Sequence, residues 1–284
     1  AGCLFEDRVG RWEDAGELKA ALRGCEAAVN LAACASLVER DRTERERVNV
    51  GLPRALCAAL REAAPRARLL HCSTAGTAGL GGPAPRDESA PFDAARIHYF
   101  ATKRAGEELV LEAARGGLDA VVVNPTTVFG PRMRPLQAAA FRRAAEGRML
   151  ACPPGGSSFV YAPDVCAGAS AALARGRRGE RYILGGENLT FRDYFTRVAA
   201  VAGKPGPRFA LPPAALPVAG ALLGLFDKSV GADTGRLAAE FGYYRSEKAE
   251  RELGYRRTDL GDALRATYQA VVLGEGEEAS AGVR

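Results

Sequence analysis

The chain has 284 residues, 47% of them apolar and 26% charged, and a formal net charge of +5. This length is enough for one large domain or for one and a half ordinary ones. Basic residues alternate with acidic ones and form no basic block with interleaved aromatics, which argues against a nucleic-acid partner. The longest uncharged run, 209–226, is broken by prolines and is shorter than the roughly 20 residues that span a bilayer, which argues against a membrane partner.

The cysteines and histidines argue against a metal site. Seven cysteines and two histidines are present, and no two cysteines are spaced as C-x-x-C. This pattern does not match the ligand spacing of zinc sites. Several cysteines lie in apolar runs, and no signal peptide is recognised, so we expect reduced thiols in a cytoplasmic protein.

In the first half of the chain, apolar runs alternate with segments of helical spacing. Helices are predicted over 12–24, 39–63 and 98–115, and strands over 27–33, 68–73 and 118–123. Each strand is a continuous apolar run, which is typical of a parallel sheet covered on both faces. The prediction is therefore an α/β fold with a Rossmann-like, doubly wound parallel sheet. Cys3-Leu4-Phe5 is compatible with one further short strand.

The second half is more mixed. Helices are predicted over 135–148, 163–175, 190–202, 246–253 and 260–273, and strands over 158–161 and 180–184. The apolar stretch 211–226 fits either the wall of a pocket or plain core. The residues 274–284 are small and polar, which predicts a disordered tail.

Small or polar residues follow three of the predicted strands. These residues are Ala32-Ala33, Ser73-Thr74 and Pro125–Thr127. In parallel α/β sheets, ligands bind beyond the carboxyl ends of the strands. We therefore expect these segments to line one crevice.

Tyr99 and Lys103 lie four residues apart at the start of the helix predicted over 98–115, and so share one helix face. A free tyrosine has a pKa of about 10, and a nearby cation lowers this pKa by favouring the phenolate. The pair is a candidate general acid/base for chemistry at a carbonyl or an alcohol. The same spacing also occurs by chance, with the tyrosine in the core and the lysine in solvent. The position of the pair beside the predicted crevice favours the functional interpretation.

Blocks spread over nearly the whole chain share the order and spacing of one family. They are 29–33 (VNLAA), 48–50 (VNV), 72–76 (CSTAG), the Tyr99–Lys103 pair, 124–131 (NPTTVFGP), 159–165 (FVYAPDV), 179–186 (GERYILGG) and 246–255 (SEKAERELGY). Together they resemble the extended short-chain dehydrogenases/reductases, most closely the dihydroflavonol-reductase-like branch and its hopanoid-associated sugar-epimerase-like members. Sugar-nucleotide epimerases and dehydratases usually carry an arginine where this chain has Asn124, which favours carbonyl reduction.

The resemblance implies a role for each site residue. Tyr99 would exchange a proton with the substrate oxygen, Lys103 would lower the pKa of Tyr99 and hold the nicotinamide ribose, and Thr74 would hydrogen-bond the substrate carbonyl. The cofactor, NADP or NAD with NADP preferred, would contact Ala32, Ala33, Ser73, Tyr99, Lys103, Pro125, Thr126, Thr127 and Val128. The partner is a small, partly apolar substrate. A homodimer through the helices 39–63 and 98–115 is implied by analogy alone.

The resemblance also implies two domains. A Rossmann-like cofactor domain would comprise 1–130 and about 158–186. A smaller substrate-binding lobe would comprise about 131–157 and 187–273.

The N-terminal part of the chain departs from this family. No glycine-rich loop of the kind that brings the backbone to a pyrophosphate occurs within 1–30, and Arg11 replaces an aspartate that contacts adenine in the family. We therefore expect the family's early strands to be missing from the sheet, which would leave an edge exposed. Two explanations stay open: an N-terminal segment that precedes this chain, or a true remnant with impaired cofactor binding.

Three functions follow in order of preference. The first is NAD(P)-dependent reduction of a ketone or aldehyde, or the reverse oxidation, with tyrosine as general acid/base. The second is nucleotide-sugar epimerisation or dehydration. The third is a cofactor-less relative that binds a partner or performs non-redox chemistry.

Overall fold

The computed structural model of the chain describes residues 9–216 and 232–274. The strand considered at Cys3-Leu4-Phe5 lies outside this part. So do the residues 275–284 of the predicted tail and most of the apolar stretch 211–226.

Helices and strands alternate along the chain. The α-helices are Ala15–Leu22 (α1), Arg42–Glu46 (α2), Leu52–Ala63 (α3), His98–Arg115 (α4), Pro135–Ala145 (α5), Ala162–Arg175 (α6), Phe191–Val201 (α7), Ala232–Ala239 (α8), Glu247–Leu253 (α9) and Leu260–Val271 (α10). The strands are Ala27–Asn30 (β1), Arg68–Cys72 (β2), Ala120–Pro125 (β3), Thr127–Phe129 (β4), Ala151–Cys152 (β5), Gly156–Tyr161 (β6), Arg181–Leu184 (β7), Glu187–Thr190 (β8), Phe209–Ala210 (β9) and Phe241–Gly242 (β10). None of the helices in the described ranges combines the length and apolarity needed to cross a membrane.

The main sheet is parallel, with the strand order β1-β2-β3-β7. Its side chains alternate between two cores, as the pleat of a strand requires. Leu69 and Val122 pack with α3 and α4 on one face, whereas Leu70 and Val123 pack with α6 and α9 on the other. The predicted doubly wound α/β fold is therefore confirmed.

A second sheet begins directly where the first one ends. It has the order β10-β6-β4, and β8 pairs antiparallel with β6. Thr126 alone separates β3 from β4, so the segment Pro125–Thr127 lies at the junction of the two sheets. The sequence pattern missed β4 because three residues are too few to show a period. The division of the chain into a cofactor domain and a substrate lobe stays a prediction.

Strand β1 is shorter than predicted and lies at the edge of the sheet. Within the described ranges no strand pairs with its outer side, and Val29 and Leu31 are 51% and 67% exposed. The strand ends at Asn30 because the Oδ1 atom of Asn30 accepts a hydrogen bond of 3.2 Å from the backbone N–H of Ala32. Such a side-chain turn replaces the ladder hydrogen bonds that would extend a strand.

The helix predicted over 39–63 is wrong as a single unbroken element. A 3-10 turn at Glu39–Asp41 and α2 are followed by a π-helical turn at Arg47–Gly51, and only then by α3. Pro53 lies in the first turn of α3 and has no N–H to donate. The π-turn before Pro53 has backbone hydrogen bonds between residues five apart in place of four. Such single π-turns occur inside α-helices as local bulges.

The π-turn and α4 are in close backbone contact. A Cβ atom added to Gly106 of α4 would lie 2.1 Å from the backbone oxygen of Asn49. Glycine is therefore required at this position by packing and not by backbone conformation, since its φ angle is not positive.

We predict that Gly106→Ala lowers the free energy of unfolding by about 3 kcal/mol, because the clashing atom is a backbone oxygen that cannot rotate away. Gly261→Ala is the matched control. Its Cβ would lie 3.1 Å from Oδ1 of Asp259, the N-cap residue of α10, and 3.4 Å from Nη1 of Arg265, so we expect an effect within about 1 kcal/mol of the wild type. Urea unfolding followed by circular dichroism measures both, and equal stabilities for the two variants would contradict the close contact.

Candidate active site

The first two turns of α4 are attached to the carboxyl end of β2 by a buried lysine. Lys103 is 2% exposed, and its Nζ atom donates a hydrogen bond of 2.7 Å to the backbone oxygen of Cys72. Burial lowers the pKa of the Lys103 ammonium, while Cys72 and Glu107 act in the opposite direction. The ammonium is thus held at the predicted edge of the sheet.

Tyr99 lies one turn earlier on the same helix and is half-buried. The pKa of its phenol is raised to about 12, chiefly by burial; Cys72 and Cys34 act in the same direction and Arg134 in the opposite one. The expected lowering of this pKa by Lys103 is wrong for this structure, because desolvation dominates. The phenol is therefore protonated at neutral pH.

A tight turn places Thr74 beside α4. Its Oγ1 atom accepts a long hydrogen bond of 3.5 Å from the backbone N–H of Gly76. Its carbonyl oxygen accepts a hydrogen bond of 3.1 Å from Asn124 Nδ2 and lies 2.8 Å from Thr77 Oγ1. A Cβ atom on Gly76 would lie 2.3 Å from the ring of Phe100, so the turn packs directly against the helix.

A buried carboxylate joins this turn to the sheet. Glu107 of α4 is fully buried and accepts hydrogen bonds of 2.8 Å from Thr77 Oγ1 and 2.7 Å from Asn124 Nδ2. Its other oxygen accepts from Arg181 Nη1 of β7 at 2.8 Å. Neither Glu107 nor Arg181 was predicted from the sequence to be part of the site. The available signal was that Glu107 lies four residues beyond Lys103, on the same helix face.

The loop after β1 is held in place by Asn49. Its amide exchanges hydrogen bonds of 2.9 and 3.0 Å with the backbone of Cys34 and donates another of 3.0 Å to Thr102 Oγ1 of α4. Ala32 and Ala33, predicted to line the cofactor, are exposed in this loop.

The predicted residues at the end of β3 separate into two groups. Thr127 and Val128 belong to the second sheet, where Thr127 Oγ1 hydrogen-bonds Ser157 Oγ at 2.6 Å and Val128 packs on the core beneath α6. Pro125 and Thr126 stay at the junction of the sheets. Pro125 and Thr126 therefore lie at the carboxyl end of β3, next to that of β2, whereas the hydroxyl of Thr127 has a protein partner.

Two buried hydroxyls at these strand ends are relevant to cofactor binding. Among the described residues, Ser73 Oγ and Thr126 Oγ1 are buried and have no hydrogen-bond partner. Leaving such a group unpaired costs about 1–3 kcal/mol, so ligands or ordered water usually satisfy it. Both residues were predicted to contact the cofactor, and their free hydroxyls fit the nicotinamide half of a dinucleotide.

Comparison with known proteins identifies the family of the chain. The pattern of the NAD dependent epimerase/dehydratase family matches residues 8–185. The chain is 36% identical to "Sterol demethylase protein B" of Methylococcus capsulatus over 75% of this chain and 66% of that protein, just under two thirds of its length. It is 31% identical to "Putative dihydroflavonol 4-reductase" of Synechocystis, over 88% of this chain and 77% of that protein.

Among solved structures, the fold is similar to a double mutant of DesIV, the dTDP-glucose 4,6-dehydratase of Streptomyces venezuelae, with NAD bound. The TM-score is 0.74 at 25% identity, and the match covers 95% of this chain and 80% of that chain. The chain belongs to the NAD-dependent epimerase/dehydratase family. The resemblance to the dihydroflavonol-reductase-like branch of the extended short-chain dehydrogenases/reductases is confirmed.

We predict that Glu107→Gln lowers the free energy of unfolding by about 3 kcal/mol, because the largely buried Arg181 loses its counter-charge. Glu108→Gln, on the exposed side of the same helix, removes an ion pair with Arg104 of 2.7 Å. Exposed pairs contribute at most about 1 kcal/mol. Urea denaturation measures the free energy of unfolding of both variants. A Glu107→Gln protein as stable as Glu108→Gln would contradict a stabilising role for the hydrogen bonds of Glu107.

Proposed function

We propose that the protein is an NAD(P)-dependent oxidoreductase that reduces a ketone or an aldehyde, or oxidises the corresponding alcohol. One observation carries the proposal: the phenol of Tyr99 and the ammonium of Lys103 lie on one face of α4, and that face is attached to the carboxyl end of β2. Ligands of doubly wound sheets bind at this edge.

The residues that would hold the cofactor lie along the same edge. Lys103 and Tyr99 would contact the nicotinamide ribose, and the free hydroxyls of Ser73 and Thr126 would hydrogen-bond the nicotinamide side. Pro125 and the exposed backbone at Ala32 and Ala33 would border the cofactor. When bound, NADPH or NADH supplies the hydride.

The proton comes from the protein. Tyr99, protonated because of its raised pKa, donates its proton to the oxygen of the substrate as the carbonyl becomes an alcohol. The hydroxyl of Thr74, which among the described residues makes one long hydrogen bond, donates to the same oxygen and orients it. The buried ammonium of Lys103 stabilises the negative charge that develops there.

A second candidate function is nucleotide-sugar epimerisation or dehydration, which the family description and the DesIV fold favour. It predicts that a nucleoside diphosphate raises the melting temperature. Tyr99 packs, as do the partly buried side chains of Leu37, Phe92 and Leu237, against a buried apolar cluster formed by Leu80, Ala94, Ile97 and Phe100. This apolar surrounding favours the ketone or aldehyde reductase.

We predict that Tyr99→Phe reduces kcat/KM by about 10²- to 10⁴-fold, the usual contribution of a general acid. The assay follows NADPH or NADH oxidation with the ketone that the wild-type chain reduces fastest. Tyr268→Phe, on α10, is the control and keeps full activity.

Fluorescence titration with both nucleotides is carried out first and on every variant. Cofactor binding retained by a Tyr99→Phe protein that has lost turnover supports the assignment. Unchanged turnover in Tyr99→Phe would show that Tyr99 is not the general acid. No nucleotide binding by the folded wild-type chain would instead favour the cofactor-less alternative.

The raised pKa of Tyr99 predicts opposite pH profiles for the two directions. Reduction needs the phenol, which is present at every pH well below 12, so this group gives no decline between about pH 6 and pH 9. Oxidation needs the phenolate, whose fraction rises about tenfold per pH unit over the same range. Initial rates in both directions measure this, and a fall in the rate of reduction with an apparent pKa near 7 in the Tyr99-dependent step would contradict it.

A further inference from the structure

The first turn of α4, which carries Tyr99, has no side-chain cap. Ile97 precedes the helix, and its side chain offers no acceptor to the first backbone N–H groups. On the side that faces α2, this turn is held by His98, the residue directly before Tyr99. The two ring nitrogens of His98 lie 3.0 Å from Arg45 Nε and 3.0 Å from Glu46 Oε1. The position of the turn therefore depends on side-chain contacts next to the proposed general acid.

The two contacts of His98 determine the tautomer of its ring. An arginine can only donate, so Nδ1 of His98 accepts from Arg45 and carries no proton. The proton of the neutral ring is then on Nε2, which donates to the carboxylate of Glu46. The contact with Arg45 thus requires an acceptor at the position of Nδ1.

Arg45 joins His98 to the loop 31–38, which follows β1. The side chain of Arg45 is only 1% exposed. Its Nη1 atom donates hydrogen bonds of 3.0 Å to the backbone oxygen of Ser36 and of 2.6 Å to that of Val38. The same loop contains Ala32 and Ala33, which border the proposed cofactor site. One buried guanidinium therefore connects the end of this loop with the residue before Tyr99.

A buried guanidinium provides direction as well as contact. Burying a cation is costly, and replacing a buried charged group by apolar residues is often neutral or stabilising. Its planar N–H groups, however, fix the orientation of each acceptor that they contact. Arg45 is therefore suited to setting the geometry between the loop and α4, which an apolar side chain of the same size would not do.

We propose that Arg45 and His98 are positioning residues that couple the loop bordering the cofactor to the first turn of α4. The inference rests on the proposed reductase function and adds two residues to it, neither of which touches the reacting atoms. A cofactor held against the loop and the phenol of Tyr99 are thereby kept in one mutual geometry. Hydride transfer and proton transfer to the same carbonyl both require such a geometry.

Variants of His98 test the link without removing the buried arginine. His98→Leu removes the acceptor for Arg45. His98→Asn restores an acceptor, because its amide oxygen takes the place of Nδ1. Glu46→Gln keeps the contact with Arg45 and removes only the charge on the other side of the ring. Arg45→Lys keeps the buried charge and loses the planar fork, and Arg42→Lys, at an exposed position of the same helix, is its matched control.

Three quantities are measured on each variant that circular dichroism shows to be folded. Hydrogen exchange followed by mass spectrometry reports the protection of the backbone N–H groups of 31–38. Fluorescence titration gives the dissociation constants of NADH and NADPH. Initial rates at saturating nucleotide give kcat and KM for the ketone that the wild-type chain reduces fastest.

We expect His98→Leu to speed exchange in the loop, to weaken nucleotide binding and to lower kcat, each about tenfold, since a hydrogen bond to a charged group is lost. KM for the ketone should change less than kcat, because the substrate does not contact the link. Arg45→Lys should behave like His98→Leu. We expect His98→Asn, Glu46→Gln and Arg42→Lys to stay within about threefold of the wild type, since each keeps the hydrogen bonds of Arg45.

Three results would overturn the proposal. One is loop exchange in His98→Leu equal to that in Glu46→Gln, because the contact with Arg45 would then not hold the loop. Another is a loss in His98→Asn as large as that in His98→Leu, which would show that the packing of the ring matters and the acceptor does not. The third is faster loop exchange with unchanged nucleotide affinity and kcat, which would make the link structural only.

The exchange measurement separates this inference from the reductase function, since it needs neither cofactor nor turnover. A loop that is loosened by His98→Leu and not by His98→Asn, in a chain that binds no nucleotide, would refute the reductase. The physical link between the loop and α4 would then stand, while its role in positioning a cofactor would fall with the reductase.

Discussion

The buried carboxylate of Glu107 is the interaction on which the geometry of the site depends. A charge without exposure to solvent is tolerated only when its lone pairs are occupied by donors. Here the donors come from three places: Thr77 in the turn after β2, Asn124 in β3 and Arg181 in β7. Satisfying one carboxylate thus connects α4, two strands of the sheet and the turn that carries Thr74.

This constraint explains why α4 lies so close to its neighbours. The helix contacts the Thr74 turn through Phe100 on one side and the π-turn through Gly106 on the other, and both contacts leave no room for a Cβ on the facing glycine. Lys103 adds its hydrogen bond to Cys72 between them. Tyr99 therefore projects from a helix whose position is determined along most of its length, which suits a group that must meet a reacting oxygen within hydrogen-bond distance.

The sequence predicted the fold well because its signals are periodic and long. The buried strands around 68–73 and 118–123 and the helix 98–115 were found within two residues of their observed bounds, since apolar runs and helical spacing report burial directly. The interruption of 39–63 by a π-turn was missed because it depends on the contacts of Asn49 with Cys34 and Thr102, which are distant in sequence. The pairing of Glu107 with Arg181 was missed for the same reason.

The pKa of Tyr99 shows a second reason why a site cannot be predicted fully from sequence. Spacing alone predicts that a lysine four residues away lowers the pKa of a tyrosine. The direction of the shift in pKa, however, depends on the balance between nearby charge and desolvation. In this fold the apolar contacts of Tyr99 and the burial of Lys103 decide that balance, and the phenol stays a proton donor. The same apolar contacts strengthen any charge interaction in the crevice, because a low local dielectric weakens screening.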